Sequence, residues 1–423
     1  MPARADSPAA ARTAIVIGAG AVGVSCALQM AKRGIKVTLI DRGPVGGGTS
    51  HGNAGAVLRA ASPIAEPGIW RKVPSMLLDP MGPLTVRWRH LPALAPWLIR
   101  FLRESGAERF RANSDAIWQL GDQAPDAWRR QVRGTSAEEL LRPVGWLKVY
   151  ETEKAFEKAA IGRAVYADKG AAIETFTKDE LRQLEPNLAP IFARGALHAD
   201  ALFARNPRRL VEICADAARD LGVEILEAEV ADVSADDQKG RATLADGRVL
   251  AADRLVLAAG AWSKDLAARL GVTLPLDTER GYHLMFETPE KSLSRPVIWE
   301  EKSFVLCPME HGLRMTSQVE LAGLKAPPDY RRIESMIPMA QKMLPSLAES
   351  GAPWDRWLGF RPSLPDARPV VGPSPRAKAA LFAFGHQHYG LSLAARTGEV
   401  IADLAAGERP AIDLGALSPA RWA

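Results

Sequence analysis

Residues 13–42 constrain the fold more than any other stretch of this chain, because they predict a strand, a glycine turn, a helix and a second strand in unbroken order. The apolar run 14–17 leads directly into Gly18, Gly20 and Gly23, which form the pattern GxGxxG. The first glycine permits a tight turn, the second lets the backbone approach a diphosphate, and the third lets the helix pack closely on the strand. Because amides at a helix N-terminus carry partial positive charge, the pattern predicts a dinucleotide site.

The predicted second strand, residues 35–40, ends at an acidic residue, Asp41. A carboxylate at this position can accept hydrogen bonds from an adenosine ribose, and it would repel a 2′-phosphate. The unit alone does not distinguish NAD from FAD. A polar, glycine-dense run follows at residues 43–55, and we interpret it as a loop wrapped around a ligand rather than as a flexible linker.

The composition is that of an ordinary globular protein, with 47% hydrophobic and 24% charged residues among 423. The length predicts two closely connected domains. The net charge of +5, without a dense Lys/Arg run, argues against a nucleic-acid partner. The three cysteines, Cys26, Cys214 and Cys307, have no metal-ligand spacing and indicate reduced core thiols. We expect no metal site, a cytoplasmic protein, and a disordered tail at the Ala- and Pro-rich residues 1–11.

Residues 62–105 are rich in Pro, Trp and Arg, and the piece 93–103 has the apolar spacing of an amphipathic helix. No run of 18 apolar residues suits a membrane span. Two interpretations of this segment stay open. It is either a simple domain face or, over residues 70–103, a patch that touches an anionic bilayer.

The remainder of the chain predicts further parts of a two-domain α/β protein. Asn206 and Pro207 predict the start of a helix, as N-cap and first helical residue. Residues 254–259 predict another buried strand that ends at a glycine, and residues 273–345 predict a β-rich region walling a substrate pocket. Near the C-terminus, a strand at 381–384 and a second glycine turn lead into a helix at 391–406.

With these pieces in order, the chain resembles the D-amino acid oxidase-like superfamily of FAD-dependent amine oxidoreductases, and within it the bacterial D-amino acid dehydrogenases. The resemblance covers nearly the whole chain and is carried by these stretches: GAGAVG with IDR, TSHGNAG, LVLAAGAWS, ERGYHL, GFRPSLPDARPVVGP and GHQHYGLSLA. It implies FAD rather than NAD, because the cofactor site is assembled from N-terminal, middle and C-terminal pieces. Cys307 does not match the cysteine that carries covalent flavin in sarcosine oxidases, so the FAD is expected to be noncovalent.

The implied fold class is α/β, a Rossmann-like FAD-binding domain of the D-amino acid oxidase type with a second α+β substrate domain on a mostly antiparallel sheet. The FAD-binding domain would comprise residues 12–60, 196–275 and 346–423. The substrate-binding domain would comprise residues 61–195 and 276–345.

The resemblance also assigns residues to the FAD site. Gly18, Gly20 and Gly23 would hold the pyrophosphate, Asp41 the ribose, and Thr49 and Ser50 would donate to phosphate or ribityl oxygens. The backbone at Asn53, Ala54 and Gly55 would pass the reactive edge of the flavin, Val230 would meet adenine, and residues 388–392 would present amides to the flavin N1/C2=O region. The remaining implied cofactor residues are Ala21, Val22, Arg42, Ala259, Gly260, Trp262, Arg361, Gly385, His388, Tyr389, Gly390, Leu391 and Ser392.

On the substrate side, Arg361 matches an arginine that grips the substrate carboxylate, and Tyr282 matches a pocket tyrosine. The alternatives are that Arg361 only braces a loop and that Tyr282 is an ordinary strand residue. His388 would act with the helix amides, through its side chain or through its backbone alone. His51 and His283 depart from the dehydrogenases, which often carry an aromatic residue and a serine there. They would either line the pocket or be satisfied loop and strand histidines.

The implied reaction is oxidative deamination of D-amino acids. A hydride passes from Cα to flavin N5, the imino acid hydrolyses to a 2-oxo acid and ammonia, and the electrons go to a quinone or respiratory acceptor. A neutral amine needs no side-chain base, so none is assigned. The alternatives are a cis-4-hydroxy-D-proline dehydrogenase, a glycine/sarcosine-type oxidase, an NAD-dependent dehydrogenase and a non-enzymatic flavin-binding module.

Overall fold

A computed structural model describes residues 11–71 and 84–422 of the chain. Residues 1–10 of the predicted tail and residues 72–83 of the Trp- and Arg-rich segment lie outside the described residues. Ala11 is buried, and its amide donates to the Ala405 carbonyl at 3.0 Å. The predicted disorder therefore does not extend to residue 11, because backbone pairing holds that residue against the core.

A six-stranded sheet forms the centre of the dinucleotide-binding half. Its strands, in spatial order, are β10 (Glu224–Glu227), β2 (Lys36–Asp41), β1 (Thr13–Ile17), β14 (Arg254–Leu257), β21 (Ala380–Phe384) and β20 (Val370–Pro373). All neighbours are parallel except β20, which runs antiparallel to β21. The carboxyl ends of β1 and β14 therefore open at one edge, where ligands bind in such sheets.

Helices cover one face of this sheet, and a small antiparallel sheet covers the other. The α-helices within the described residues are α1 (Ala21–Lys32), α2 (Leu91–Glu104), α3 (Ala107–Gly121), α4 (Ala124–Val132), α5 (Glu153–Lys158), α6 (Ala160–Asp168), α7 (Lys178–Leu184), α8 (Pro207–Asp220), α9 (Ser263–Arg269), α10 (Arg331–Glu334), α11 (Ile337–Met343) and α12 (Gly390–Ala405). The small sheet comprises β11 (Val230–Ala235), β12 (Gly240–Leu244) and β13 (Val249–Ala252). Apolar residues of α1, α8 and α12 share one core cluster with β1.

Two local contacts explain this helical packing. A Cβ on Gly398 of α12 would lie 2.6 Å from the Ser25 carbonyl oxygen of α1, so only glycine allows the two helices to approach this closely. The Asn206 side chain accepts from the Arg209 amide at 3.0 Å, which confirms the predicted N-cap of α8.

The second half is built on a nine-stranded sheet. Its strands, in order, are β19 (Asp355–Ser363), β15 (Asp277–Phe286), β18 (Gly312–Leu321), β17 (Phe304–Met309), β16 (Val297–Trp299), β6 (Trp146–Tyr150), β8 (Arg194–His198) and β7 (Ile173–Thr177), with β4 (Leu84–Val86) beside β18. All pairs are antiparallel except β16 with β6 and β18 with β4. The predicted mostly antiparallel substrate sheet is confirmed. A second three-stranded sheet joins the halves: β3 (Ala56–Val57), β9 (Leu202–Ala204) and β5 (Leu141–Arg142).

The strand β19 lies within the segment predicted for the FAD-binding domain, residues 346–423. It pairs with β15 along its whole length, from Asp277 opposite Ser363 to Met285 opposite Asp355. The chain therefore enters the large sheet once more after residue 346, and the predicted boundary places this strand in the wrong half. Because β19 carries Arg361, this pairing also sets the geometry of the candidate active site.

Candidate active site

One large cavity of about 1780 Å³ lies between the six-stranded and the nine-stranded sheets. It is bordered by the turn between β1 and α1, the loop after β2, the strands β15 and β19, and the turn before α12. Sites for single small ligands usually measure about 300–1,000 Å³. This cavity therefore has room for a dinucleotide and a second molecule.

At one end of the cavity, the glycine turn packs directly against backbone atoms of the protein. Gly18 has φ +107°, and a Cβ there would lie 2.4 Å from the Ala258 carbonyl oxygen. A Cβ on Gly23 would lie 1.8 Å from the Gly18 carbonyl oxygen, whereas one on Gly20 would meet only the Ser50 hydroxyl, at 3.4 Å. The first and third glycines are thus required by packing, and the second borders the cavity.

Polar groups around this turn are held in fixed positions. The Asp41 carboxylate accepts from the amides of Ala19 at 2.6 Å and Gly43 at 3.1 Å. The Ser50 hydroxyl accepts from the Ala21 amide at the start of α1, at 3.0 Å. The Thr49 hydroxyl donates to the Phe360 carbonyl at 2.9 Å. The Thr49 hydroxyl is therefore already bonded to β19. It could make the predicted bond to a phosphate or ribityl oxygen only after its side chain rotated.

An aromatic platform lies near the same end. The Arg42 guanidinium lies 4.1 Å from the centre of the Trp262 ring, and Trp262 packs edge-on against Phe360 with 5.5 Å between ring centres. Val230 and Gly260 border the cavity beside them. These groups present flat and apolar surface of the kind that an adenine ring needs.

Most of the residues predicted to hold the cofactor border this cavity. The exceptions are three glycines that pack against neighbouring protein atoms: Gly23, Gly55 and Gly385. A Cβ on Gly55 would lie 2.3 Å from the Ala204 carbonyl oxygen, and one on Gly385 would lie 2.7 Å from a Leu364 methyl carbon. These glycines shape the loops around the cavity rather than facing into it.

The half-buried side chain of Arg361 places its guanidinium at the cavity wall. A Cβ on Gly281 would lie 2.2 Å from its Nη2 atom, so the guanidinium occupies the space left by the missing side chain. Its Nη1 donates to the Gln318 carbonyl at 3.2 Å. Burial lowers the pKa of Arg361 while Glu279 opposes that shift, and a guanidinium keeps its charge at neutral pH. A fixed cation of this kind suits a carboxylate ligand.

Glu279 was not assigned any role from the sequence, yet it organises the polar groups beside Arg361. His388 Nε2 lies 2.9 Å from its Oε2, and the Ser363 hydroxyl donates to its Oε1 at 2.6 Å. Gln387 Nε2 in turn donates to that hydroxyl at 2.7 Å. Burial raises the pKa of Glu279, but the bonds from His388 and Ser363 and the charge of Arg361 outweigh burial and lower it overall. Glu279 is therefore ionised.

Tyr282 is not brought to the cavity. Its hydroxyl donates to Glu320 Oε2 at 2.5 Å and accepts from the Asp329 amide at 3.1 Å. Burial and the Glu320 bond raise the pKa of Tyr282 to about 12. Because side chains alternate along a strand, Tyr282 points to the face opposite Gly281 and packs in the core of the substrate domain. The alternative of an ordinary strand residue fits this position.

His51 and His283 come together beside the cavity but do not border it. The His283 ring stacks on Trp357 with 5.2 Å between centres, and His51 lies edge-on to the same indole at 5.9 Å. Trp357 fills the space above Gly52 and Gly359, where an added Cβ would lie within 2 Å of its ring. Burial, the Arg314 charge and His51 lower the pKa of His283 to about 2, so its imidazole is neutral.

The turn before α12 borders the cavity opposite the loop after β2. The Tyr389 hydroxyl donates to the Ser62 carbonyl at 2.9 Å, and the Ser392 hydroxyl donates to the Ala56 carbonyl at 2.9 Å. Trp128 Nε1 donates to the Leu391 carbonyl at 2.8 Å. These bonds fix the start of a 16-residue helix whose first amides face the cavity region and favour negative charge.

The three cysteines lie in the core. Cys26 in α1, Cys214 in α8 and Cys307 in β17 are buried. Burial raises the pKa of each thiol, that of Cys214 to about 11. Cys307 does not border the cavity, so it offers no attachment point for a flavin.

The helix α2 forms an apolar lobe of the cavity and an exposed apolar surface. Trp97 and Phe101 stack with 5.1 Å between ring centres and border the cavity. On the outside, Trp88, Leu91 and Ile99 are exposed, with Trp88 at 71%. Among residues 11–71 and 84–422, no helix is both long enough and apolar enough to cross a bilayer.

Comparison with known proteins identifies the family. The sequence profile of the DAO family, described as FAD dependent oxidoreductase, matches residues 13–404. The chain is 37% identical over 418 residues to a D-amino-acid oxidase of Bradyrhizobium diazoefficiens, covering 97% of this chain and 99% of the relative. It is 28% identical to a D-amino acid dehydrogenase of Rhizobium rhizogenes, over 96% of this chain and 99% of the relative. The chain therefore belongs to the DAO family of FAD-dependent oxidoreductases.

Solved structures agree on the fold. Glycine oxidase from Geobacillus kaustophilus matches with a TM-score of 0.75 and 22% identity, over 96% of this chain and 98% of that one. L-proline dehydrogenase from P. horikoshii matches with a TM-score of 0.73 and 18% identity, over 98% of both chains. The cavity fits the family's cofactor, because a backbone that excludes any Cβ at Gly18 and Gly23 creates the phosphate turn, and Asp41 ends the adjacent strand.

Proposed function

We propose that this protein catalyses the FAD-dependent oxidative deamination of D-amino acids and passes the electrons to a quinone. The observation that carries the proposal is the half-buried guanidinium of Arg361 at the wall of a cavity whose other end is a dinucleotide cradle. The names of the two relatives, D-amino-acid oxidase and D-amino acid dehydrogenase, support amino acids as substrates.

Bound FAD would supply the chemistry by accepting a hydride from Cα, and the resulting imino acid would hydrolyse to a 2-oxo acid and ammonia. Arg361 would hold the substrate carboxylate bidentately, which fixes the position of Cα. Gln318, whose carbonyl accepts from Arg361, would set the direction of the guanidinium fork. The amides at the start of α12 would stabilise negative charge that develops on the ring system.

None of these residues acts as a base in the proposal. Glu279 is the ionised carboxylate beside Arg361, and its lowered pKa makes it a weak proton acceptor. Both of its oxygens are also engaged, by His388 and by Ser363. The substrate amine would therefore react in its neutral form, and Glu279 would orient His388 and balance the charge of Arg361.

The outer surface of α2 supports a quinone as acceptor. Exposed Trp88, Leu91 and Ile99 lie among exposed Arg89 and Arg100, and the inner face of α2 borders the cavity. An amphipathic surface with aromatic and basic residues suits the interface of an anionic bilayer, where quinones dissolve. We therefore propose a cytoplasmic protein that contacts the inner membrane peripherally through the described part of residues 70–103.

Molecular oxygen is the second candidate acceptor, because the relative with 37% identity is named an oxidase. A cyclic imino acid such as cis-4-hydroxy-D-proline is the alternative substrate, supported only by the shared fold of L-proline dehydrogenase. Both alternatives keep the same cofactor cradle and the same role for Arg361.

The test is anaerobic reduction of the bound flavin by a panel of D- and L-amino acids, proline analogues, glycine and sarcosine. We expect the flavin absorbance to bleach with D-amino acids and not with their L-enantiomers. Bleaching by L-amino acids alone, or by none of the panel, would exclude the proposed substrate class. Reoxidation is then followed with a ubiquinone analogue in anionic vesicles and, separately, with air. Stoichiometric peroxide without quinone reduction would replace the quinone by oxygen.

A further inference from the structure

A cluster of three potential metal ligands lies beside the cavity and plays no part in the proposed reaction. It comprises His51 from the loop after β2, His283 from the middle of β15 and Asp355 from the first position of β19. One ligand atom from each residue lies within 4.8 Å of the other two. His283 Nε2 and Asp355 Oδ2 are 3.7 Å apart, too far for a hydrogen bond.

The imidazole of His283 gives an independent indication of a ligand. Its side chain is 0% exposed. The Gly52 backbone lies beside the ring, but it makes no hydrogen bond of good geometry with either ring nitrogen. The Nδ1 atom of His51 is also buried without a partner. Buried polar atoms nearly always have a partner, because leaving one unpaired costs about 1–3 kcal/mol. Two unpaired imidazoles facing one carboxylate therefore point to a ligand that accepts their lone pairs.

We propose that His51, His283 and Asp355 bind one transition-metal dication of the Zn²⁺ type, which ties the loop after β2 to the strands β15 and β19. Two imidazoles and one carboxylate form a donor set that suits Zn²⁺ and disfavours Mg²⁺. Tetrahedral zinc with bonds of about 2.0–2.2 Å places its ligand atoms about 3.4 Å apart. The longest separation in the cluster, at most 4.8 Å, must therefore shorten by up to about 1.4 Å, which side-chain rotation can supply.

The position of Asp355 gives the metal an entry path. Its side chain is 40% exposed, whereas His283 is fully buried, so an ion can enter from the carboxylate side and keep a water as its fourth ligand. The negative charge of the Asp355 carboxylate is also needed to offset nearby positive charge. Arg314 is buried nearby, where its guanidinium donates to the His51 and Asn53 carbonyls at 3.0 and 2.6 Å, and its charge opposes a second cation.

The proposed ion would act on the geometry of the cavity without touching a substrate. The loop after β2 carries Ser50 and Asn53, and β19 carries Trp357 and Arg361, all of which border the cavity. An ion that joins the loop to β15 and β19 would hold these groups at a fixed spacing. Binding to the folded state alone also raises the unfolding midpoint.

The experiment uses the FAD-loaded full chain, purified without a histidine tag and dialysed against a chelating resin. Calorimetric titration with ZnCl₂ and metal analysis after gel filtration measure the stoichiometry and affinity. We expect one Zn²⁺ per chain, no heat with MgCl₂, and an unfolding midpoint raised by zinc. His283→Ser and Asp355→Asn should weaken zinc binding by at least about tenfold, as loss of a ligand requires. The control is His311→Ala, which removes a 70% exposed imidazole beside Glu310.

Three results would overturn the proposal: no zinc retained by the wild-type chain, unchanged affinity in both ligand variants, or an equal loss in the His311→Ala control. Asp355→Asn changes a half-exposed side chain, and its flavin content reports whether the fold is intact. The readouts are metal content and heat, so they do not depend on whether D-amino acids are the substrates.

Discussion

The two ends of the cavity are built from different materials. At the phosphate end, Gly18 and Gly23 pack against the protein's own carbonyl oxygens, and no side chain fits there. At the substrate end, the buried Glu279 carboxylate is bonded to the 38% exposed His388 and lies near the half-buried Arg361, so that opposite charges compensate one another. The phosphate end depends on the absence of side chains at two glycines. The substrate end depends on every polar group having a hydrogen-bond partner. The phosphate end should therefore fail when atoms are added, and the substrate end when partners are removed.

The variant Gly23→Ala tests the phosphate end. The added Cβ would lie 1.8 Å from the Gly18 carbonyl oxygen, and neither backbone can move without opening the turn. Overpacking of this kind costs about 1–3 kcal/mol, so FAD affinity should fall by about tenfold to a hundredfold. Titration of the apoprotein with FAD, followed by flavin fluorescence, measures the loss.

The matched control for that variant is Gly106→Ala, because a Cβ on Gly106 would meet no atom within 4 Å and its φ is an ordinary −72°. We expect the control to bind FAD like the wild type. Full flavin occupancy in Gly23→Ala would mean that the phosphate end tolerates added atoms, and the contrast between the two ends would be lost.

Arg361→Ala should reduce kcat/KM for the preferred amino acid by about 10²- to 10³-fold, because truncating one partner of a buried charge pair costs about 3–4 kcal/mol. FAD content should stay near that of the wild type. Steady-state kinetics and the flavin spectrum separate the two properties. Arg356→Ala serves as control, since that arginine lies on the same strand with a 62% exposed side chain paired to Glu334. Equal losses in both variants would remove the special role of Arg361.

Glu279→Gln should lower the free energy of unfolding by about 1–3 kcal/mol at pH 7, because the amide weakens the bond to His388 and leaves Arg361 without a counter-charge. The pKa of Glu279 is lowered in the folded protein from the usual 4.5, so its carboxylate stabilises the fold above that pH. This contribution is lost as the pH falls through the folded pKa.

The difference between wild type and Glu279→Gln should therefore shrink below about pH 4.5, which denaturant titrations across pH can follow. The control is Glu334→Gln. Glu334 is 39% exposed and pairs with Arg356 at the surface, so we expect its replacement to change the free energy of unfolding little at any pH. A Glu279→Gln deficit that persists undiminished at low pH would assign the effect to packing rather than to charge.

The same contrast explains what the sequence could predict. The glycine turn after β1, Asp41 at the end of β2 and the N-cap of α8 each belong to a short sequence pattern, and the structure has all three at the predicted positions. The two-layer fold class follows from such units together with the family resemblance, and the comparisons confirm it. A short-range pattern is enough to predict where an element begins or ends, even where, as at Gly18, the packing partner is the distant Ala258 carbonyl.

The substrate end could not be predicted in this way, because its contacts join distant parts of the chain. Glu279 gains its role only when β15 pairs with β19, which sets it opposite Arg361. The only signal in the sequence was an acidic residue within a strand otherwise suited to burial. Tyr282 was predicted to line the pocket, but its side chain lies in the core of the substrate domain. A shift of one position along a strand moves a side chain to the opposite face, and the sequence alone does not fix that position. Thr49 was placed in the right loop, but its donor is used by the Phe360 carbonyl.

The burial of the three cysteines affects how the protein resists oxidation when its flavin turns over in air. Reduced flavins that meet oxygen release hydrogen peroxide, and peroxide oxidises thiolates far faster than neutral thiols. Cys26, Cys214 and Cys307 are shielded from solvent, and each is held as a thiol by its raised pKa. Oxidative damage should therefore begin at accessible thioethers such as Met339, which is 38% exposed, and not at sulfhydryl groups.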